Sequence, residues 1–412
     1  MANVMTQYVR RTLGKTVCRP CFRRPAKTHG RPLFHPSPAD SNTWDMGALC
    51  KAYDWPTSGS AGGTVGIIEM GGGYDPADIK AFCQHYGYAM PKLTDVPMDL
   101  TNSPGSDADT EVVLDIEAAI AAAAEANAPL KEIRVYFSGD FTAAIKQADA
   151  DGCDTFSISW AARETDFGSG ELTDIQTAVK NSKMIVFAAS GDWGSQGIMG
   201  AVEAPAPGAN MFGPSCVPEI ISCGGTAKYP NDSPPESAWS DTGGGISVVF
   251  PQQPWAIGAP QATGRTSPDV SADAAPETGV NIFIGGSWGG VGGTSFVAPF
   301  LAGLFATFGR RLGFITDKLY ANPAAFTDIT TGDNGQYRAG PGIDLCTGLG
   351  VPKGKALAAL FNRSSGSGNG TGTGNGTGTG PGGNGGVNGT PVVGFSGKLV
   401  YKSGVLVDAI ND

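Results

Sequence analysis

The sequence predicts an α/β fold: a central, mostly parallel sheet flanked by helices. Three observations predict it. Between about residues 60 and 310, apolar runs of strand length alternate with helix-patterned stretches. The composition, 41% hydrophobic and only 16% charged with 62 Gly and 29 Pro, suits a loop-rich globular body with a sizeable core rather than a helical bundle. Small and polar residues also gather where the strands end. In chain order, Thr64 to Met70 reads as a strand and Pro76 to Tyr86 as a helix. Asp109 to Asn127 reads as a helix and Ile133 to Phe137 as a strand; Thr155 to Ser159 is a strand, Leu172 to Asn181 a helix, and Met184 to Ala189 a strand. Parallel sheets carry their chemistry at the carboxyl ends of strands, and those ends read Glu69-Met-Gly-Gly-Gly73, Ser157-Ile-Ser-Trp160 and Ser190-Gly-Asp-Trp-Gly194.

The chain divides by composition. Residues 1–42 form a basic N-terminal extension, a flexible tail or short pro-segment, in which residues 10–31 carry Arg10, Arg11, Lys15, Arg19, Arg23, Arg24, Lys27 and Arg31 with no acid among them. Residues 43–361 form the body. Residues 362–390 are a Gly/Thr/Asn-rich flexible linker, and residues 391–412 hold two short β-like runs, Lys398 to Tyr401 and Val405 to Val407, that read as a hairpin. A net charge of −10 argues against general nucleic-acid binding. No stretch reaches 18 consecutive apolar residues, and Met1 to Lys15 lacks an apolar segment behind a charged start, so neither a membrane span nor a secretory signal is read. The eight cysteines (Cys18, Cys21, Cys50, Cys83, Cys153, Cys216, Cys223 and Cys346) are too scattered for a disulfide scaffold. Cys18-Arg-Pro-Cys21 with His29 and His35 has zinc-binding residue types without a zinc module's spacing, and a basic tail is the expectation there.

Gly292-Gly-Thr-Ser295 precedes the apolar run Phe296 to Phe308, so Ser295 opens a helix whose N-terminus favours a developing negative charge. Taken alone, the pattern is more often a serine capping a helix. A serine nucleophile needs a base, and the usual histidine is scarce: His29 and His35 lie in the basic tail, and His85 sits in a helical pattern. For the same reason Gly285-Gly-Ser287-Trp-Gly289, which fits a nucleophile-elbow pattern, reads as a glycine-rich strand and loop, because no histidine follows it. Carboxylates can replace histidine at low pH. Glu111 and Asp115 stand four apart on one helix face that continues as Ala118, Ala122 and Ala126; taken alone such acids are more often partners of the helix dipole, whereas on a packing face a buried pair would titrate jointly. Asp192 follows an apolar strand in a glycine turn, where it is either a turn residue or a protonated donor to an oxyanion. Farther on, Asp328 to Gly335 and Ala339 to Asp344 offer carboxylates and glycine-exposed carbonyls, the oxygen ligands of a hard cation such as Ca²⁺, or plain turns.

Over roughly residues 43 to 361 these stretches resemble the sedolisin family of serine-carboxyl peptidases, in a kumamolisin-like form. The resemblance rests on Ile67-Ile-Glu-Met-Gly-Gly-Gly-Tyr74, Glu111-Val-Val-Leu-Asp115, Ser157-Ile-Ser-Trp160, Ala188-Ala-Ser-Gly-Asp192, Ser267-Pro-Asp-Val-Ser-Ala-Asp273, Gly292-Gly-Thr-Ser295 with Ala298-Pro299, and Ala339-Gly-Pro-Gly-Ile-Asp-Leu-Cys-Thr-Gly-Leu-Gly350. It implies a subtilisin-like fold, endopeptidase action on protein or peptide substrates at acid pH, an extracellular location and one structural Ca²⁺; a monomer is expected. Carried over by motif, Ser295 is the nucleophile, Glu111 the base, Asp115 its orienting partner and Asp192 the oxyanion group. Glu69 and Trp160 extend the carboxylate network. Asp328 and Asp344, with the carbonyls of Ile329, Gly340 and Gly342, would hold the calcium; Asp269 and Asp273 are read as turn and loop structure. Family members carry a long prodomain, whereas about 40 residues precede the matching region here. The alternative reading is a catalytically idle scaffold of the same fold that binds peptides or tethers to a surface.

Overall fold

The structure, a computed structural model, describes residues 42–59, 62–106, 108–195 and 211–361, together with the backbone of 19–20, 196, 397–402 and 405–411. Cys18, Cys21, His29, His35 and the 362–390 linker lie outside the described residues. The chain falls into two units, Met1–Ser364 and Ser365–Asp412. In the first, the order begins β1 (Arg19–Pro20), α1 (Met46–Ala52), β2 (Thr64–Glu69), α2 (Pro76–Tyr86), β3 (Lys92–Pro97), α3 (Asp109–Glu125), β4 (Glu132–Phe137) and α4 (Phe141–Ala150). It continues through β5 (Thr155–Ile158), β6 (Trp160–Arg163), α5 (Glu171–Asn181), β7 (Ile185–Ala189), β8 (Phe212–Gly213), β9 (Ile221–Ala227), β10 (Ser237–Ala238), β11 (Gly245–Pro251) and β12 (Gly264–Ser267). Then follow β13 (Val270–Asp273), β14 (Val280–Ile284), β15 (Ser287–Val291), α6 (Thr294–Ala306), α7 (Thr316–Tyr320), β16 (Phe326–Thr327), β17 (Val351–Pro352) and α8 (Gly354–Phe361). The second unit holds β18 (Gly397–Lys402) and β19 (Val405–Asn411), paired antiparallel as a hairpin.

Eight strands make the main sheet, in the order β10-β9-β7-β5-β2-β4-β3, with β13 also paired to β9. All its pairings are parallel except β10 with β9. Parallel neighbours need a crossover, and α2, α3, α4 and α5 supply those between β2 and β7. The fold is therefore the expected α/β sheet flanked by helices.

Alternation along the strands sorts the two faces. Val65, Ile67, Val135 and Phe187 pack with α3 and α6, while Ile68, Phe156, Ile158 and Val186 pack with α4 and α5. Side chains two apart share a face. Glu69 thus takes the side of Val65 and Ile67. Ser157 and Ser159 take the side of Thr155, whose hydroxyl donates to the Ala302 carbonyl of α6 at 3.0 Å. The carboxyl ends of β2 and β5 consequently present polar groups to α3 and α6.

Those helices are central. Every residue of α6 and all of Thr110 to Ala123 in α3 are buried, the pattern of helices covered on all sides. They cross backbone to backbone: a Cβ added at Gly303 would stand 2.4 Å from the Ala119 carbonyl oxygen. The residue of α3 at that crossing is Ala119, beside the predicted Ala118, Ala122 and Ala126, and the glycine opposite it is what permits the approach.

Two expectations change. Asp273 is the last residue of β13, not loop, and is buried. Asp269 does sit between β12 and β13, but as a core anchor: it pairs with buried Arg265 at 2.5 Å and accepts from the Ser222 N–H at 2.7 Å and the Tyr320 hydroxyl at 2.9 Å. An ion pair survives burial because each partner is also hydrogen-bonded. The Gly285-Gly-Ser287 stretch is the turn of the β14–β15 hairpin, with φ of 59° at Gly285 and 73° at Gly286, values that suit glycine.

Candidate active site

The hairpin delivers the chain to Gly292 and Gly293. A Cβ at Gly292 would lie 2.6 Å from the Ala274 carbonyl oxygen, and Gly293 has φ of 139°, so the glycine pair is what lets β15 turn into α6. Ser295 then stands in the first turn of α6, where the helix leaves N–H groups without intrahelical acceptors. Four residues on, Pro299 has no N–H, so the Ser295 carbonyl is released from the helical ladder. The Ser159 hydroxyl approaches that carbonyl at 3.3 Å.

Ser159 ties the site together. Its hydroxyl donates to Asp115 Oδ1 at 2.8 Å, and its own carbonyl accepts from the Ser295 hydroxyl at 3.4 Å. Glu111 lies one helical turn before Asp115, and both are fully buried. Beside them Glu69, at the end of β2, accepts the indole N–H of Trp160 at 3.0 Å and is likewise fully buried. Burial pushes all three carboxyl groups well above the ordinary range. For Glu111 the charges of Asp115 and Glu69 add to that, and the nearby Ser295 hydroxyl pulls back, although in this geometry that hydroxyl hydrogen-bonds Ser159 instead. The Trp160 indole similarly opposes the rise at Glu69, and Ser159 opposes it at Asp115. Buried acids whose charges raise one another's pKa titrate jointly.

On the other side of Ser295, Asp192 leaves the carboxyl end of β7 and its Oδ1 accepts from both the N–H (2.8 Å) and the hydroxyl (2.7 Å) of Thr294. Thr294 Oγ1 in turn accepts from the Gly191 N–H at 3.1 Å. Hydrogen bonds and chain neighbours thus run from Asp192 through Thr294, Ser295 and Ser159 to Asp115. Ser159 and Thr294 lie inside the motifs quoted above but carry no role there, because hydroxyls at strand ends and helix starts are common; the parity of Thr155, Ser157 and Ser159 was the available signal for the first. His85 lies on α2 against Tyr86 and Trp288.

The second predicted group also assembles locally. Asp328 accepts from the Gly342 N–H at 2.8 Å, and Asp344 accepts from the N–H of Gly340 at 2.9 Å and those of Cys346 and Thr347 at 2.8 Å. Both carboxylates therefore address one glycine turn, beside buried Ile329. Burial raises the Asp344 pKa and these N–H groups oppose it. Among the described residues no group of three His, Cys, Asp or Glu side chains is arrayed for a metal. The predicted set has two carboxylates and otherwise backbone oxygens, a donor class that suits a hard cation. Among the described residues no helix is long and apolar enough to cross a membrane.

No family model matches the chain. Among curated proteins, kumamolisin of Bacillus sp. (strain MN-32) is 33% identical over 395 residues, covering 85% of this chain and 70% of that protein. Sedolisin of Pseudomonas sp. (strain 101) is 27% identical over 353 residues, covering 75% of this chain and 59% of that protein. Among solved structures, a Pseudomonas sedolisin, a serine-carboxyl proteinase complexed with two molecules of pseudo-iodotyrostatin, superposes with a TM-score of 0.68 at 24% identity, covering 78% of this chain and 98% of that one. That structural likeness bears on the fold.

Proposed function

Because the chain belongs to the sedolisin family of serine-carboxyl peptidases, and so is a serine-type peptidase, we propose that it cleaves protein or peptide substrates at acid pH through an acyl-enzyme on Ser295. The observation that carries this reading is a group of three fully buried carboxyls, Glu69, Glu111 and Asp115, of which Asp115 is linked to Ser295 through Ser159.

Ser295 attacks the scissile carbonyl and Glu111 takes its proton. Asp115, held by Ser159, orients Glu111 and shares its charge; Glu69, held by Trp160, completes the acid group. Asp192 places Oδ1 on Thr294, so a proton on Oδ2 can be donated to the oxyanion that forms beside the start of α6. Glu111 then returns its proton to the leaving amine, and water releases the acyl group by the same steps.

This chemistry requires Asp192 to keep a proton while the acid group carries at least one negative charge. Rising pH removes the first condition and falling pH the second, so kcat/KM should trace a bell on the acid side of neutrality. Hydrolysis of denatured protein, assayed between about pH 3 and pH 7, checks this, a range that starts near the ordinary carboxyl value of ~4 and extends upward because burial raises the acid group. A maximum at or above neutral pH would sink it.

The enzyme is expected to act as an extracellular monomer with one structural Ca²⁺ held by Asp328, Asp344 and the carbonyls of Ile329, Gly340 and Gly342. A cation bound only by the folded state stabilises it by about 2.7 kcal/mol at a hundredfold excess over Kd. Adding a chelator should therefore lower the melting temperature, and Asp328→Ala should abolish that response. A melt unmoved by chelator removes calcium from the account.

A further inference from the structure

Asp192 stands in the turn from Ser190 to Ser195, between Gly191 with φ of 112° and Gly194 with φ of 60°. Glycines on both sides leave the direction of its carboxyl undetermined by the local chain. That direction is set from outside the turn. At the front, α6 takes the Gly191 N–H on Thr294 Oγ1 at 3.1 Å. Beneath, the stretch after β10 supplies two contacts: the Gly243 N–H donates to the Gly191 carbonyl at 2.7 Å, and the Asp241 carbonyl accepts the Gly194 N–H at 2.8 Å. The third abutment is the loop between β16 and β17, and the turn meets it at Ser195.

Ser195 is fully buried, and that loop engages its hydroxyl in both directions. The hydroxyl donates to the Asn334 carbonyl at 2.9 Å and accepts from the Gln336 N–H at 2.8 Å. The Ser195 N–H reaches the same Asn334 carbonyl at 2.9 Å. The loop is itself fastened. The N–H of buried Asn334 donates to the Tyr337 carbonyl at 3.1 Å, while its side chain accepts from the Tyr337 N–H and donates to the Leu345 carbonyl, both at 3.2 Å. The two segments also lie backbone against backbone: a Cβ added at Gly194 would stand 2.7 Å from the Asn334 carbonyl oxygen.

We propose that Ser195 is a positioning residue for the reaction: its hydroxyl locks the Asp192 turn against the loop at Asn334 and Gln336, which keeps the Asp192 carboxyl where the oxyanion forms. The inference rests on the reaction proposed above, in which Asp192 donates to that oxyanion. Removing the hydroxyl opens the lock and leaves the Gln336 N–H without its acceptor. Only a state that calls on Asp192 then suffers, and the tetrahedral state does so while bound substrate does not. The expected mark is a fall in kcat of about tenfold at nearly constant KM, part of the roughly hundredfold that a misplacement of about 1 Å costs. A serine that merely held the fold together would lower the melting temperature and leave kcat per folded molecule unchanged.

The test compares wild type with Ser195→Ala and with Asn334→Ala, which loosens the same contact from the loop side; melting curves establish that each variant is folded at the assay temperature. Each protein is titrated with a peptide aldehyde, whose hemiacetal oxygen takes the oxyanion position, and with the alcohol of the same peptide, which has no such oxygen. Both variants should lose about tenfold in kcat and in aldehyde affinity, with alcohol affinity held within about twofold. The double variant should lose about as much as the worse single one, because both substitutions act on one contact. Aldehyde and alcohol affinities that fall together, or a folded variant in which neither falls, overturns the proposal while leaving the reaction standing. A wild type that takes up no aldehyde sinks the reaction and this inference with it.

Discussion

Replacing Ser295 by alanine is expected to lower kcat/KM by on the order of 10⁴-fold or more, because residues that act as one catalytic unit lose nearly the whole unit when the nucleophile goes. The fold should barely register the change. The side chain makes one long hydrogen bond, 3.4 Å to the Ser159 carbonyl, and a neutral bond of that kind contributes about 1 kcal/mol or less. A peptide aldehyde gives the complementary measurement: wild type should form a hemiacetal with Ser295 and the variant should not. An alanine variant that keeps its activity, or a wild type that takes up no aldehyde, rejects Ser295 as the nucleophile.

Glu111→Gln should separate activity from stability. On the proposed mechanism it removes the base, and a lost general base costs about 10²–10⁴-fold in rate. Its effect on stability has the opposite sign at neutral pH. Burial holds the folded pKa of Glu111 above its unfolded value, so the native state binds the proton more tightly. That contribution is complete below the unfolded value, near ~4, and is lost as pH rises toward the folded value. Within this window each pH unit costs about 1.4 kcal/mol per proton. A neutral amide does not titrate, so the variant should melt higher than wild type near neutrality, and its melting temperature should fall less between acid and neutral pH. Superimposable curves of melting temperature against pH would contradict buried titration at Glu111.

Much of this was legible because the informative residues sit where local rules are strong. The strand β2 and the helices α2 and α3 follow from apolar period, and the turn into α6 from its glycine pair. Glu111 and Asp115 were found by their spacing on one helix, and Asp192 by its place after an apolar strand. The elements not read have weaker signatures. β3 is a half-exposed edge strand ending in Pro97, so its burial imposes little pattern. Asp273, read as loop, ends β13, whose pairing with β9 depends on residues some 47 positions away, as Cys223 opposite Val270 shows. Ser159 escaped for a different reason: its role exists only once β5, α3 and α6 are brought together, and no short-range pattern encodes a three-element contact.

The crossing of α3 and α6 at Ala119 and Gly303 has a mechanical meaning. Gly303 is eight residues from Ser295, and Ala119 is eight from Glu111, so each of the two proposed reacting groups rides about 12 Å from the fulcrum at 1.5 Å of rise per residue. With lever arms of that length, a tilt of about 5° between the helices displaces nucleophile and base by about 1 Å, enough to cost on the order of a hundredfold in rate. On the proposed mechanism the alignment of Glu111 and Ser295 is thus set two turns away, at a hinge pin made of a glycine and an alanine.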